Sequence, residues 1–330
     1  MTERKNTRKL PRLGLDALAI NVPAEVQRIV EALRHAVTQR LRRQGVVVGI
    51  SGGIDSSVVL ALCARAFPPE RVLGVLMPEV ESSPESAALA QDLAKRLGVP
   101  TETVDLTRAL EALGCYARRD EAIRRVFPQY SRGWKAKMVL PGSLLKEETL
   151  NVFSLTVVSP GGEQVSQRLP APEFLQIMAA SNLKQRTRMS TLYYQAEVRN
   201  FAVAGTANRD EFDLGFFVKY GDGGVDLFPI LHLFKTQVFQ LGEHLEVPRE
   251  IQARSPTTDT YSAGSTQEEF FFRAPFGILD AIWAGMEQGA SPASIGEALG
   301  LSEEQVDRVL KDILRKRKTT EYLRMPPISL

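Results

Sequence analysis

Between an apolar run, Val46 to Ile50, and a helix-like run, Val58 to Phe67, stand Ser51, Gly52, Gly53, Asp55, Ser56 and Ser57. Glycines at 52 and 53 let the backbone approach an anion closely and take dihedrals that other residues resist. Amides at the start of the following helix would point at phosphate oxygens, and the helix dipole favours negative charge there. The serines add hydroxyl donors. Asp55 is the odd member, because the lysine of the common phosphate loop is missing and a carboxylate repels the anion the loop attracts. A divalent cation between them removes the conflict, so the loop implies magnesium carried with a nucleotide. One carboxylate holds magnesium poorly, and a second acid must be sought elsewhere.

The elements that must position this loop follow from the apolar periodicity. "AEVQRIVEALRHAVTQRLRRQG" has helical spacing and stops at Gly45; "VVVGI" is a continuous apolar strand of the doubly covered kind. "SVVLALCARAF" is a helix ended by Pro68 and Pro69, "RVLGVLM" a second strand, "SPESAALAQDLAKRLG" a second helix and "TETVDL" a third strand. This alternation predicts a doubly wound α/β fold, a parallel sheet flanked by helices. Ligands of such folds sit beyond the carboxyl ends of the strands, where Ser51 to Ser56, Met77 to Glu79 and Asp105 fall.

A helix over about 108–127 follows, and then the pattern breaks. "FPQYSRGWKAKMVLPG" is loop-like, and "NVFSLTVVSPGGEQVSQRL" reads as a hairpin turning at Pro160-Gly161-Gly162. Residues of about 128–172 are therefore an insert in a single domain of 21–330, preceded by a mobile arm of 1–20. The α/β signal resumes with a helix in "RMSTLYYQAEVRNF", a small-residue strand end in "AVAGTAN" and a helix in "LFKTQVFQLGEHLEVP". "SPASIGEALGLSEEQVDRVLKDILRKRK" is two helices with a tight turn. It has the look of a DNA-binding helix-turn-helix, but the balanced charge and the motifs upstream favour a packing role.

The composition excludes more than it selects. With 330 residues, 44% of them hydrophobic, the chain can bury a sizeable core, and a formal charge of +2 calls for neither nucleic acid nor an anionic membrane. No apolar run is long enough to span a bilayer, and the basic start "MTERKNTRKLPRLG" lacks the apolar stretch of a secretory signal. Cys63 and Cys115 fit no metal or disulfide spacing and read as buried thiols of a reducing compartment, the cytoplasm. His35, His232 and His244 are scattered.

The Ser-Gly-Gly-x-Asp-Ser spacing after an apolar strand resembles the pyrophosphate loop of the N-type ATP pyrophosphatases, with their adenine nucleotide alpha hydrolase-like fold. Further along, "NLKQRTRM" (182–189), "GTANRDE" (205–211), "FFVKYGDGGVDLFPI" (216–230), Lys235 and "PTTD" (256–259) are similar, in order, to the motifs of NAD synthetases. That family adenylates the carboxylate of deamido-NAD with ATP; ammonia then attacks the acyl-adenylate, releasing AMP and NAD. The resemblance implies ATP contacts at Gly49, Ser51, Gly52, Gly53, Asp55, Ser56, Met77, Thr206, Lys235 and Thr257. It implies magnesium at Asp55 and Glu211, the latter being the second acid. Deamido-NAD would be held by Arg186, Lys219, Asp226 and Arg324, and Asp222 or Asp259 could help ammonium lose its proton. Without the family, Lys219 and Asp226 could simply pair across a turn, and Arg186 could be one solvated member of a basic helix start.

Relatives are homodimers with the dinucleotide across the subunit boundary, so the same is expected here. No amidotransferase cysteine accompanies the domain, which leaves free ammonia or a separate glutaminase as the nitrogen source. Three segments depart from the family pattern. "PTTDTYSAGS" has Thr260 for a leucine, "EEFFFRAPF" has Phe272 and Arg273 for Leu-Gly, and "EYLRMPP" has Leu323 and Arg324 for Lys-Arg. These departures leave room for a paralogue that amidates another carboxylate.

Overall fold

Val46, Val47 and Val48 are wholly buried, as a strand covered on both faces requires. In this computed structural model, which describes residues 13–147, 152–257 and 261–330, they form β1 (Val46–Gly49). β2 (Val72–Leu76), β3 (Thr101–Thr103), β4 (Lys135–Val139), β5 (Ser154–Val158), β6 (Gln164–Arg168) and β7 (Ala202–Ala204) follow. The main sheet is parallel, in the order β3-β2-β1-β7, with Val46 in register with Val72 on one side and Ala202 on the other. The chain leaves β1 to build β2 and β3 in one direction, and returns on the opposite side with β7. β1 therefore lies where strand order reverses, and a crevice opens at its carboxyl end. The phosphate loop occupies that position.

Alternating side chains of β1 divide the core. Val46 and Val48 pack with α1 (Val22–His35), α2 (Ile54–Ala66) and α3 (Pro84–Arg96), whereas Val47 packs with Ala196 and Val203 on the other face. Asn21 caps α1 and Ser83 caps α3, each with a proline in the first turn, so both helices start where their sequences place the signals. The expected helix over 108–127 is two, α4 (Thr107–Ala112) and α5 (Cys115–Val126), because Gly114 takes a left-handed conformation at φ 69°. Asp105, expected at the site, instead accepts the Thr107 amide at 2.8 Å and starts α4.

The insert is more ordered than expected. Residues 135–139, read as loop, form β4 and pair antiparallel with β5, which pairs in turn with β6. Met138, Leu155 and Val157 bury against α5 and the start of α6 (Ala171–Arg199). The charged residues of "WKAKMVL" hid its alternation, since only every second residue faces the core. α6 itself begins 17 residues ahead of the expected Arg188, with Pro170 at its N-cap, and runs for 29 residues.

α7 (Arg209–Leu214), α8 (Lys235–His244) and α9 (Arg249–Gln252) complete the α/β part. α10 (Phe276–Glu287), α11 (Pro292–Leu299), α12 (Glu303–Thr319) and the short α13 (Glu321–Arg324) form the C-terminal layer. Trp283, Ile295, Val306, Val309 and Ile313 are wholly buried there, so the two-helix unit spends its apolar faces on packing. Residues 14–18, placed in the mobile arm, form a helical turn instead, with Leu18 buried in the same cluster. No helix among the described residues is long and apolar enough to cross a membrane.

Candidate active site

Gly52 has φ 77°, and a Cβ there would lie 2.2 Å from the Ser86 carbonyl oxygen, so only glycine fits this turn. The turn is held from within: the Ser51 amide donates to Ser56 Oγ at 3.2 Å, and Ser56 Oγ donates to the Gly53 carbonyl at 3.1 Å. Gly53 is the N-cap of α2 and has no side chain to cap the helix, which leaves the first-turn amides to a ligand. Gly49, Ser51, Gly52, Gly53, Asp55, Ser56, Met77, Thr206 and Thr257 all line one cavity of about 510 Å³.

Three charged groups meet at its floor. Lys235 Nζ lies 2.5 Å from Asp55 Oδ2 and 3.9 Å from Glu211 Oε1. The lysine is wholly buried, lying beneath the cavity and outside its lining. Burial opposes its charge, but Asp55 and Glu211 outweigh that and hold its pKa above the usual lysine value. Glu211 is pushed up to about 8, first by burial and then by the charge of Asp55. Two carboxylates thus press on one another across a single ammonium. Among the described residues no group of three or more His, Cys, Asp or Glu could hold a metal ion by itself. A pair of carboxylates suits magnesium that arrives on substrate phosphates, since that ion keeps waters and phosphate oxygens in most of its positions.

Several members of this network were not singled out in the sequence. Asn208 donates to Asp55 Oδ1 at 2.9 Å, and its own Oδ1 accepts the Glu211 amide at 3.1 Å. Glu211 Oε2 in turn accepts the Asn208 amide at 3.3 Å, closing a capping box at α7. The Asn-x-x-Glu spacing ahead of a helix was the signal for it. Gln267 donates to Glu211 Oε1 at 3.1 Å. Asp210 accepts the Lys235 amide at 2.6 Å, and Asp280 accepts the Thr236 amide at 2.9 Å. These acids cap α8 and fix the lysine at its start; both are pushed upward, first by burial. Nothing local in the sequence joins Asp280 to residue 236.

α6 supplies a long wall. Met178, Ser181, Gln185, Met189 and Leu192 line the cavity at spacings of three and four, one helical face, with Asn182 beside them. Arg188 lines it too, whereas Arg186 does not; residues two apart on a helix face different sides. Arg186 donates to the Lys219 carbonyl at 3.3 Å, and Lys219 Nζ donates to the carbonyls of Tyr322 and Met325 at 2.9 and 2.7 Å. Asp226 accepts from Tyr193 Oη at 3.1 Å and from the Val203 amide at 2.8 Å, so Lys219 and Asp226 are not a pair across a turn. Arg324 donates to the carbonyls of Phe212 and Arg317 at 3.1 and 2.6 Å. These four residues lie outside the cavity lining. Asp222 lines it, is open to solvent and accepts the Val218 amide at 2.7 Å. Asp259 lies outside the described residues, as does Thr260.

A phosphate loop at a sheet crossover, with a lysine brought in from a later helix and two acids to share it, narrows the families sharply. The NAD synthase family model matches residues 25–126 and 154–327. The chain belongs to that family. An NH3-dependent NAD+ synthetase of Mesorhizobium japonicum is 49% identical over 311 residues, 94% of this chain and 97% of its own. One of Thermotoga maritima is 38% identical over 245 residues, 74% of this chain and 81% of its own. Among solved structures, NMN synthetase from Francisella tularensis superposes with a TM-score of 0.63 at 20% identity, covering 94% of this chain and 99% of that one. An NH3-dependent NAD synthetase from Campylobacter jejuni gives 0.60 at 19%, covering 94% and 100%. These two likenesses carry the fold.

Family membership makes the protein a ligase forming a carbon–nitrogen bond. Two residues that depart from the NAD synthase pattern are packed inside the protein. Arg273, where the family has glycine, takes a left-handed backbone at φ 59° and is buried beside Asp312 at 3.1 Å. Phe272 is wholly buried, its ring centre 4.9 Å from that of Phe276.

Proposed function

We propose that this protein converts deamido-NAD to NAD with ATP and ammonia, through an acyl-adenylate. The observation that carries the reading is the Asp55–Lys235–Glu211 constellation under a glycine loop, in a chain of the NAD synthase family. A carboxylate oxygen of deamido-NAD attacks the α-phosphorus, the bond to the β-phosphate oxygen breaks, and pyrophosphate leaves. The loop amides of residues 52–56 bind the departing charge, and Lys235 supplies a positive charge from beneath. Magnesium, held by Asp55 and Glu211, would neutralise the pyrophosphate as it leaves. Ammonia then forms a bond to the acyl carbon, AMP departs with the electrons of the carbon–oxygen bond, and nitrogen loses a proton. Asp222 lines the cavity where such a proton could go.

Ammonia as the donor agrees with the state of the two cysteines. Both are buried, and burial pushes the Cys63 thiol up to about 12, an inert state for hydrolysing glutamine. A homodimer is supported by Tyr194 and Val198, which are 65% and 64% exposed on one face of α6, beside the Tyr193–Asp226 pair. Supplied with ATP, magnesium, ammonium and deamido-NAD, the enzyme should form AMP and NAD in equal amounts. ADP in place of AMP, or AMP only with a different acid, would overturn the assignment. Sedimentation should give a dimer; an active monomer would remove the shared site.

A further inference from the structure

The cavity lining is of two kinds. Loop amides, Asp55 and Glu211 give it polar walls, while Phe153, Phe174, Met178, Phe216, Tyr261 and Phe270, which pack in one cluster, give it an apolar one. A second, more open pocket of about 550 Å³ lies outside that wall, rimmed by Val152, Arg168, Leu169, Pro170 and Ala171. The two spaces have just two lining residues in common, Phe153 and Phe174. Their rings stack with centres 5.0 Å apart and planes at 23°, and Phe153 also lies 5.5 Å from Phe270. The insert sheet holds one ring in place: Phe153 precedes β5, and its carbonyl accepts the Leu169 amide at 3.0 Å. Phe153 belongs to the stretch that the family model leaves unmatched, 127–153, and is the one residue of that stretch in the cavity lining among the described residues.

We infer that the stacked pair Phe153–Phe174 is a partition that keeps water away from the acyl-adenylate. The proposal rests on the acyl-adenylate reading above. A mixed anhydride of a carboxylic acid and AMP reacts with water as well as with ammonia. In the wasteful reaction a water oxygen bonds to the acyl carbon, the carbon–oxygen bond to AMP breaks, and deamido-NAD is regenerated with release of protons. ATP is then spent with no NAD formed. Water is abundant, and near neutral pH most ammonia is protonated and cannot attack, so the yield depends on a dry acyl end. Two stacked phenyl rings offer water no strong hydrogen bond, and they stand between the cavity and the outer pocket.

The experiment measures AMP, NAD and pyrophosphate separately in the full-length enzyme and in Phe153→Ser, Phe174→Ser and Phe153→Leu. The wild type should give one NAD per AMP. Each serine variant should continue to release pyrophosphate but form AMP in excess of NAD by roughly threefold or more, as water gains the acyl carbon. The excess should shrink as ammonium is raised, because the two nucleophiles compete for one intermediate. Phe153→Leu, apolar and of similar bulk, should stay near one. An unchanged ratio in a serine variant that still releases pyrophosphate would overturn the proposal, and so would an equal rise in Phe153→Leu. Loss of pyrophosphate release in both serine variants would make the pair structural and overturn it too. A wild type that makes AMP without NAD would instead sink the assigned reaction, so the two failures are distinguishable.

Discussion

The proposed phosphate end and the set proposed to bind the dinucleotide are built in opposite ways. At the first, Asp55, Asn208, Glu211, Lys235 and Gln267 satisfy one another through side chains, and Lys235 is wholly buried. At the second, Arg186, Lys219 and Arg324 are engaged with main-chain carbonyls, tying the α13 region and the tail to Lys219 and to α7. One end has its charged and polar side chains already engaged with one another. The other offers charges whose present partners are neutral carbonyls, which a phosphate or carboxylate can replace at a gain. A site assembled once from buried groups suits chemistry that must not fail. A site assembled from exchangeable contacts suits a large substrate that has to enter and leave.

The sharpest way to break this comparison is at the buried end. Asp55→Asn and Glu211→Gln should each lower pyrophosphate release by about 10²-fold or more, the scale of losing a charge-stabilising group at phosphorus. Rapid-quench measurement of pyrophosphate checks it. Near-normal rates in either variant would remove that acid from the mechanism and make the two ends alike.

A smaller effect is expected at the exposed end. Lys219→Ala should raise KM for deamido-NAD about tenfold, the loss of one charge-assisted contact, and leave KM for ATP nearly unchanged. Steady-state kinetics varying each substrate separates the two. Equal changes in both constants would mean that Lys219 holds the fold together through Tyr322 and Met325 and does not select a substrate.

The same contrast governs what could be read from the chain. The parallel sheet and the loop were legible because apolar runs and glycine spacing are local signals, whereas Glu211 came as the second acid only through the resemblance to the NAD synthetase motifs. β4 was not, since Lys135 and Lys137 occupy its outward positions and dilute the period. Arg188 was not singled out, because a motif gives order along the chain, whereas the helix face that meets the cavity is decided by where the helix lies. Asn208 was within reach through its capping-box spacing. Asp210 and Asp280 were not: one lies beside the acid chosen and the other 44 residues beyond the backbone amide it caps. Phe153 carries no motif at all, and its importance appears only when two cavities are seen to share it.

The least conspicuous test concerns the capping acids that hold Lys235 in place. Asp280 is pushed from the ordinary 3.8 up to about 6, first by burial, and Asp210 is raised beside it. A carboxyl whose folded pKa is raised binds more protons folded than unfolded between those two values. Its contribution to stability is therefore fully present below about 4 and lost as pH rises through about 6. Asp280→Asn removes that titration while keeping an oxygen for the Thr236 amide. Denaturant unfolding of wild type and variant across pH 4 to 7 should show the wild-type decline flattened in the variant, by on the order of 1–2 kcal/mol. Parallel curves would mean that Asp280 is ionised in the folded protein throughout. The start of α8 would then carry the negative charge of Asp280 beside the Thr236 amide.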